Sequence, residues 1–198
     1  MIAKSDSSTQ LNGLFSPWLQ SLRFRKAVPW VRGERLLDVG CSQGELLQWL
    51  SDVEDYVGVE GREDVCAQAK AKYPQHRFIN LYLDKNNVTS LDIKDRDTIL
   101  MLAVLEHLEH PSEVLAGLGR YLAPGGRIVI TTPSPLGKPI LDVGSMFGFF
   151  MSEMDEHHSY FSRKQLRGLC RQAGYRMLRL TSFEAGLNHL AVMEKTER

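Results

Sequence analysis

Short apolar runs alternate along this chain with stretches in which apolar residues recur every three or four positions. The runs predict buried strands, and the helical spacing predicts helices that cover a sheet. This alternation is typical of α/β proteins with a largely parallel sheet. We therefore predict an α/β fold with strands at residues 36–39, 56–60, 77–83, 98–104, 127–132, 176–183 and 187–195.

The N-terminal part of the chain is predicted to precede the sheet. Residues 1–10 are polar and are expected to form a flexible tail. Residues 11–31 carry apolar side chains at helical spacing, interrupted by Pro17 and Pro29. Because proline disrupts a helix interior, we predict two short cap helices in this region.

Two local signals define the C-terminal part. Ser162 and Gln165 match a capping box, which predicts a helix beginning at this point. The last two predicted strands are separated only by residues 184–186. A connection this short joins antiparallel strands, so the sheet is predicted to end in an antiparallel pair.

The first strand leads into a glycine-containing turn that carries candidate chemistry. Asp38 lies at the end of this strand, and Gly40 and Gly44 bracket the turn before a predicted helix. Gly44 is expected where the backbone approaches a ligand closely. Glu60 ends the second strand and therefore comes back beside the turn. A carboxylate there can accept hydrogen bonds from the ribose hydroxyls of a nucleoside.

Other interpretations of this edge are a structural turn without a ligand and a nicotinamide-dependent oxidoreductase. The oxidoreductase fingerprint is G-x-G-x-x-G, whereas the glycines here are spaced G-x-x-x-G. Asp38, which precedes the first of them, suits a cationic or amino group better than a pyrophosphate. A third alternative is a non-catalytic partner-binding module that keeps the fold.

Five motifs occur in the order and spacing of one known family. They are Leu37-Asp38-Val39-Gly40-Cys41-Ser42-Gln43-Gly44, Glu60, Leu105-Glu106-His107-Leu108, Leu122-Ala123-Pro124-Gly125-Gly126 and Glu156-His157-His158-Ser159-Tyr160-Phe161-Ser162. On these motifs the chain resembles the class I S-adenosylmethionine-dependent methyltransferases of the small methyltransferase-11 or methyltransferase-23 type. The resemblance covers residues 30–195. It departs from the family at Ser42, where glycine is common.

The resemblance implies a fold, a cofactor and a set of site residues. The fold is a Rossmann-like, doubly wound, seven-stranded sheet of order 3-2-1-4-5-7-6, with the seventh strand antiparallel and helices on both faces. The cofactor is S-adenosylmethionine, which becomes S-adenosylhomocysteine. Its expected binding residues are Asp38, Gly40, Cys41, Ser42, Gly44, Glu60, Gly61, Asp84, Ala103 and Val104.

Methyl transfer from a sulfonium requires alignment of donor and acceptor, and a hydroxyl acceptor also requires a base. Histidine titrates near neutral pH and is the natural choice. The expected catalytic residues are His107, His157 and His158, which lie in two of the family motifs. No cluster of Asp or Asn residues follows the fourth strand, so no metal is predicted. The expected reaction is O-methylation of a small molecule.

Composition agrees with one methyltransferase domain over residues 1–198. Lys and Arg together number 24, as do Asp and Glu, so no excess of positive charge indicates a nucleic-acid partner. The three cysteines show no metal-ligand spacing, which fits a reducing compartment. No apolar run is long enough for a membrane span or a signal peptide, and we expect a cytoplasmic protein.

The segment 134–155 is too long for a simple connection and is rich in Phe, Met and Gly. We interpret it as a lid-like insertion over the acceptor site, which favours an apolar or aromatic acceptor. The alternatives are a homodimer contact and a helix packed on the core.

Overall fold

The computed structural model describes residues 8–136 and 159–196, with side chains from residue 18 onward. These residues form a seven-stranded sheet of order β3-β2-β1-β4-β5-β7-β6, as the resemblance implied. The strands are β1 (Arg35–Val39), β2 (Asp55–Glu60), β3 (Arg77–Asn80), β4 (Arg96–Leu102), β5 (Leu122–Pro133), β6 (Tyr175–Phe183) and β7 (Asn188–Lys195).

Strand direction brings most strand ends to one edge of the sheet. β1 is parallel to β2 and β4, β2 is parallel to β3, and β4 is parallel to β5. β7 runs antiparallel to both β5 and β6, which confirms the predicted final pair. The carboxyl ends of β1 to β6 therefore lie together, and we call this side of the sheet the carboxyl edge.

Helices cover both faces of the sheet, as predicted. α1 (Ser8–Ala27) and α2 (Glu63–Lys72) lie on one face, and α3 (Pro111–Leu118) and α4 (Arg163–Gln172) lie on the other. Side chains of a strand alternate between faces. Accordingly, Leu100 packs with Phe24 of α1, whereas its neighbour Ile99 packs with Leu115 of α3. None of the described helices is long and apolar enough to cross a membrane.

The N-terminal region differs from the prediction of two short helices. α1 begins at Ser8, inside the predicted tail, and continues past position 17 to Ala27. The break occurs only at Pro29, where a 3₁₀ turn, Val28–Trp30, follows. Phe24 and Ala27 are buried against the sheet, and this tertiary packing outweighs the hydrogen bond that a proline costs a helix.

Several boundaries also differ from the prediction. The third strand ends at Asn80, and the fourth ends at Leu102, because Ala103 has a φ of 59° and leaves the extended conformation. β5 begins at Leu122, ahead of the predicted start at residue 127, and α3 ends at Leu118. The capping box is confirmed, since the Gln165 N–H donates to Ser162 Oγ at 3.3 Å and the Ser162 N–H donates to Gln165 Oε1 at 2.8 Å.

Candidate functional site

The turn after β1 is held against β2 by its backbone. The Gly40 and Cys41 N–H groups both donate to the Val59 carbonyl, at 2.8 and 3.1 Å. Gly40 has a φ of 73°, and a Cβ at this position would lie 2.3 Å from Val104 Cγ2. Gly40 therefore allows the turn after β1 and the segment after β4 to meet at the carboxyl edge.

Ser42 has a φ of 49°, in the left-handed region that disfavours residues with a Cβ. This conformation gives the physical reason why glycine is common here in the resembling family. The Cys41 side chain lies on the face of the sheet covered by α2, where a Cβ on Gly58 would be 2.6 Å from its Sγ. Burial raises the pKa of the Cys41 thiol. Because this side chain is buried, Cys41 takes part in the carboxyl edge through its backbone.

The geometry around Gly44 gives this glycine a structural reason, and its expected contact with the cofactor stays a prediction. It is followed by a five-residue 3₁₀ helix, Glu45–Trp49, where a longer helix was predicted. Gly44 has a φ of 76°, and a Cβ there would lie 3.0 Å from the Tyr73 ring. Turn geometry and the approach of Tyr73 thus account for this glycine. The 3₁₀ helix that follows is too short for an appreciable dipole at its N-terminus.

Glu60 lies beside this turn, as predicted. Its Oε2 accepts a hydrogen bond from the Ser42 N–H at 3.1 Å, and its Oε1 accepts one from the Arg62 N–H at 2.9 Å. An ionised carboxylate has about four lone-pair sites, so acceptor capacity remains for two hydroxyl groups. The Glu60 side chain is 12% exposed, which leaves it accessible to a ligand while it is held in place.

Tyr82 lies next to Glu60 at the carboxyl edge and was not among the residues predicted from sequence. A Cβ on Gly61 would lie 2.4 Å from the Tyr82 ring, so the ring covers the backbone next to Glu60. Tyr82 is 73% exposed and presents an aromatic face on which a flat base can stack. An aromatic residue shortly after the third strand was the available signal, but sequence alone does not show which way it points.

Asp84 lies in the exposed loop that follows β3. Its Oδ1 accepts hydrogen bonds from the Asn86 and Asn87 N–H groups at 2.8 and 2.9 Å. The Asp84 N–H in turn donates to Asn87 Oδ1 at 2.9 Å. Asp84 thus shapes the loop, and its second carboxylate oxygen remains a candidate for a cofactor contact.

Asp38 is buried at the end of β1, with 3% of its surface exposed. The Tyr56 hydroxyl donates to its Oδ2 at 2.7 Å. Burial raises the pKa of Asp38 to about 7, although the Tyr56 hydrogen bond acts in the opposite direction. A cationic group that reached Asp38 would favour its ionised form.

A cavity of about 160 Å³ lies between Asp38 and the C-terminal half of α1. Arg23 and Gln20 of α1 also line it, together with the Ser42 region of the turn. Arg23 Nε is buried and has no hydrogen-bond partner among the described residues. Buried polar atoms normally have partners, so this atom indicates room for an anionic group. Arg23 lies in the region predicted as the cap and was not among the predicted site residues.

The segment after β4 lies beside the turn after β1 at the carboxyl edge. Ala103 has a φ of 59°, and its N–H donates to the Thr131 carbonyl at 2.9 Å. Such a conformation costs about 1 to 3 kcal/mol in a residue with a Cβ and often occurs at functional sites. Ala103 and Val104 are partly exposed at the edge, and their contact with the cofactor stays a prediction.

Of the predicted catalytic histidines, only His107 belongs to the described residues, and His157 and His158 lie outside them. His107 is exposed on a 3₁₀ turn, Leu105–His107, directly after the buried Glu106. Burial raises the pKa of Glu106 to about 7. The sequence analysis quoted Glu106 in a motif without giving it a role. Among the described residues, no group of three His, Cys, Asp or Glu side chains is placed to hold a metal ion.

These groups fit an adenosyl amino acid. Asp38 suits an ammonium group, Arg23 suits a carboxylate, and Glu60 suits ribose hydroxyls. An open α/β sheet with these groups at its carboxyl edge defines a nucleoside-binding protein of the doubly wound class.

Residues 14–180 match the family model described as "Methyltransferase domain". The chain belongs to this family, within the class I S-adenosylmethionine-dependent methyltransferases. The family decides between the methyltransferase and nicotinamide interpretations of the edge in favour of the former.

Three known proteins illustrate the similarity. A ubiquinone biosynthesis O-methyltransferase from Nitrosococcus oceani is 26% identical over 159 residues, which cover 75% of this chain and 66% of the relative. A trans-aconitate 2-methyltransferase from Methylobacterium nodulans is 30% identical over 116 residues, or 57% and 43% of the two chains. The chain thus spans less than two thirds of the length of these curated relatives.

The fold is shared with magnesium protoporphyrin IX methyltransferase from Synechocystis PCC 6803, whose structure contains bound S-adenosylhomocysteine. The TM-score is 0.66 at 16% identity, and the match covers 99% of this chain and 90% of that one.

Proposed function

We propose that this chain transfers a methyl group from S-adenosylmethionine to the hydroxyl oxygen of a small molecule. The observation that carries the proposal is the pairing of buried Asp38 with Arg23 Nε across one cavity at the carboxyl edge. One face of this cavity offers an anion and the other a cation. This arrangement matches an amino-acid group, and Glu60 beside it matches a ribose.

The chain's residues hold and orient the cofactor in this proposal. Asp38 accepts a hydrogen bond from the ammonium group, Arg23 donates to the carboxylate, and Glu60 accepts from the ribose hydroxyls. Tyr82 and Asp84 border the place for the base. When bound, the cofactor supplies an electrophilic methyl group on a positively charged sulfur.

O-methylation is the finer part of the proposal and draws support from the relative named as an O-methyltransferase. A hydroxyl acceptor needs a base, for which His107, His157 and His158 are the candidates selected by sequence. The residues 134–155, rich in Phe and Met, support an apolar or aromatic acceptor.

Calorimetry with S-adenosylhomocysteine and, separately, with NADH tests the cofactor assignment. We expect binding of the former alone. Methyl transfer is then measured with methyl-labelled S-adenosylmethionine and a panel of phenols, catechols and carboxylic acids. Binding of NADH, or no binding of S-adenosylhomocysteine by a folded protein, would overturn the proposed function.

A further inference from the structure

A row of polar side chains crosses four neighbouring strands at the carboxyl edge. Glu106 follows β4, Thr132 lies on β5, His189 on β7 and Ser182 on β6. Glu106, Thr132 and His189 are buried, with 4%, 1% and 5% of their surface exposed. Ser182 is exposed on the outer strand, so the row runs from the interior to solvent.

Hydrogen bonds join two pairs of this row, and strand register places the two pairs side by side. Thr132 Oγ1 donates to Glu106 Oε2 at 3.0 Å. Thr132 and His189 are directly opposite each other in the β5–β7 pair, which places their side chains on one face as close neighbours. His189 and Ser182 are directly opposite in the β7–β6 pair, and Ser182 Oγ lies 2.9 Å from His189 Nδ1.

The polar character is confined to the carboxyl edge. On the same face of β5 and β7, the positions further from the edge are the apolar Ile130, Ile128, Ala191 and Met193. Burying polar groups costs free energy even when they are paired, so a packed apolar row would be the simpler structural solution. Polar residues, among them the titratable Glu106 and His189, occupy these positions instead, and they lie at the edge where open α/β sheets bind ligands. This indicates a chemical role.

Burial acts in opposite directions on the two titratable groups of this row, Glu106 and His189. Burial raises the pKa of Glu106 to about 7, while Arg23 of α1 and the Thr132 hydroxyl act to lower it. Burial also lowers the pKa of His189, and Arg163 of α4 lowers it further. The Arg23 charge thus acts on Glu106, and the Arg163 charge acts on His189.

We propose that Glu106 accepts the proton released from the acceptor hydroxyl, and that Thr132, His189 and Ser182 position it and connect it to solvent. This inference rests on the proposed function and names the base within it. As the acceptor oxygen bonds to the methyl carbon, the carbon–sulfur bond breaks and its electron pair returns to sulfur. The oxygen–hydrogen bond also breaks, and the proton passes to the Glu106 carboxylate.

The first test compares Glu106→Gln with Glu109→Gln, a matched control at an exposed position three residues later. Rates are measured at saturating S-adenosylmethionine, so that titration of Asp38 on the cofactor side does not contribute. With a phenolic acceptor found in the panel, Glu106→Gln should lower kcat about 10²- to 10⁴-fold and remove its rise with pH through about 7. Affinity for S-adenosylhomocysteine should change less than threefold, and Glu106→Asp should restore part of the rate.

The second test needs no acceptor. In protein labelled with ¹³C-glutamate, NMR should show the Glu106 carboxyl titrating near pH 7. Thr132→Val should move that titration to higher pH, because the hydroxyl favours the ionised form. Titration at the ordinary glutamate pKa, unchanged by Thr132→Val, would overturn the proposal.

The outcomes separate this inference from the proposed function. If S-adenosylhomocysteine does not bind to the wild-type protein, the proposed function fails regardless of Glu106. If methyl transfer proceeds and His107→Gln abolishes its pH dependence while Glu106→Gln does not, the histidine is the base and the inference about Glu106 is wrong.

Discussion

Glu60 holds the turn after β1 in place and is the proposed acceptor for the ribose hydroxyls. It accepts backbone hydrogen bonds from Ser42 and Arg62 and keeps lone pairs for hydroxyl groups. Glu60→Ala should therefore weaken S-adenosylhomocysteine binding by roughly 1.5 to 3 kcal/mol, the scale for hydrogen bonds to a charged group. Calorimetry measures the change. Glu60→Gln, which keeps the shape and one acceptor oxygen, should lose less, and unchanged affinity in the folded alanine variant would remove Glu60 from the site.

Burial of Asp38 destabilises the ionised form of its side chain in the unliganded protein. Its folded pKa of about 7 lies above the unfolded value of 3.8, so the folded state binds its proton more tightly. Stability from this group is complete below the unfolded pKa and is lost as pH rises towards 7. Asp38→Asn should raise the free energy of unfolding at pH 8 by roughly 1 to 4 kcal/mol, and by less at pH 5.

Denaturant unfolding at the two pH values measures that difference, and equal stability of the two proteins at pH 8 would contradict it. The same variant should bind S-adenosylhomocysteine at least tenfold more weakly, the effect of losing one charged hydrogen-bond partner. Wild-type affinity should increase with pH through about 7, because Asp38 must ionise to accept from an ammonium group. Asp38→Asn should remove this pH dependence.

At the scale of elements, the glycine turn and the segment after β4 depend on each other. Gly40→Ala would place a Cβ 2.3 Å from Val104 Cγ2, in a backbone with a φ of 73°. We expect a loss of about 2 to 4 kcal/mol of stability from overpacking and left-handed strain. Adding Val104→Ala should recover at least about 1 kcal/mol, because it removes the clash but not the strain.

Gly125 offers a matched control for the comparison of Gly40→Ala with and without Val104→Ala. Its φ is 74°, yet a Cβ there would meet nothing within 4 Å. Gly125→Ala should therefore cost only the strain, about 1 to 2 kcal/mol, and Val104→Ala should not relieve it. Equal losses for the two alanine variants in urea unfolding would contradict the close approach of Gly40 and Val104.

At the scale of the whole molecule, the acceptor preference is proposed from the segment 134–155, most of which lies outside the described residues. Replacing Phe147 and Phe149 with serine should leave S-adenosylhomocysteine affinity unchanged and reduce methyl transfer to an aromatic acceptor at least tenfold. The reason is lost apolar contact with the acceptor, at about 1.5 to 3 kcal/mol per buried aromatic side chain. Leu136→Ser, at a site 66% exposed, is the control. Full activity in the double variant would exclude a role for this segment in acceptor binding.

The family resemblance implied the order of strands, and the local pattern of the sequence predicted much of the carboxyl edge. Buried parallel strands produce continuous apolar runs, and the residue after each run must lie at the carboxyl edge. Asp38, Gly40 and Glu60 could therefore be assigned to one edge from local pattern alone. The antiparallel final pair also follows from local information, since three residues cannot make a crossover.

Only the tertiary structure decided which distant side chains meet. Burial of Phe24 and Ala27 keeps α1 continuous past Pro17 and brings Arg23 to the cavity beside Asp38. The close approach of the Tyr73 ring favours glycine at position 44, and no local sequence pattern reveals this contact.

The row from Glu106 to Ser182 shows the same limit most clearly. Glu106, Thr132 and the hairpin that carries Ser182 and His189 are far apart in sequence, and the pairing of the strands sets them side by side. A sequence shows the periodicity of each strand. Register and the pKa values that burial produces depend on the partners that the fold supplies.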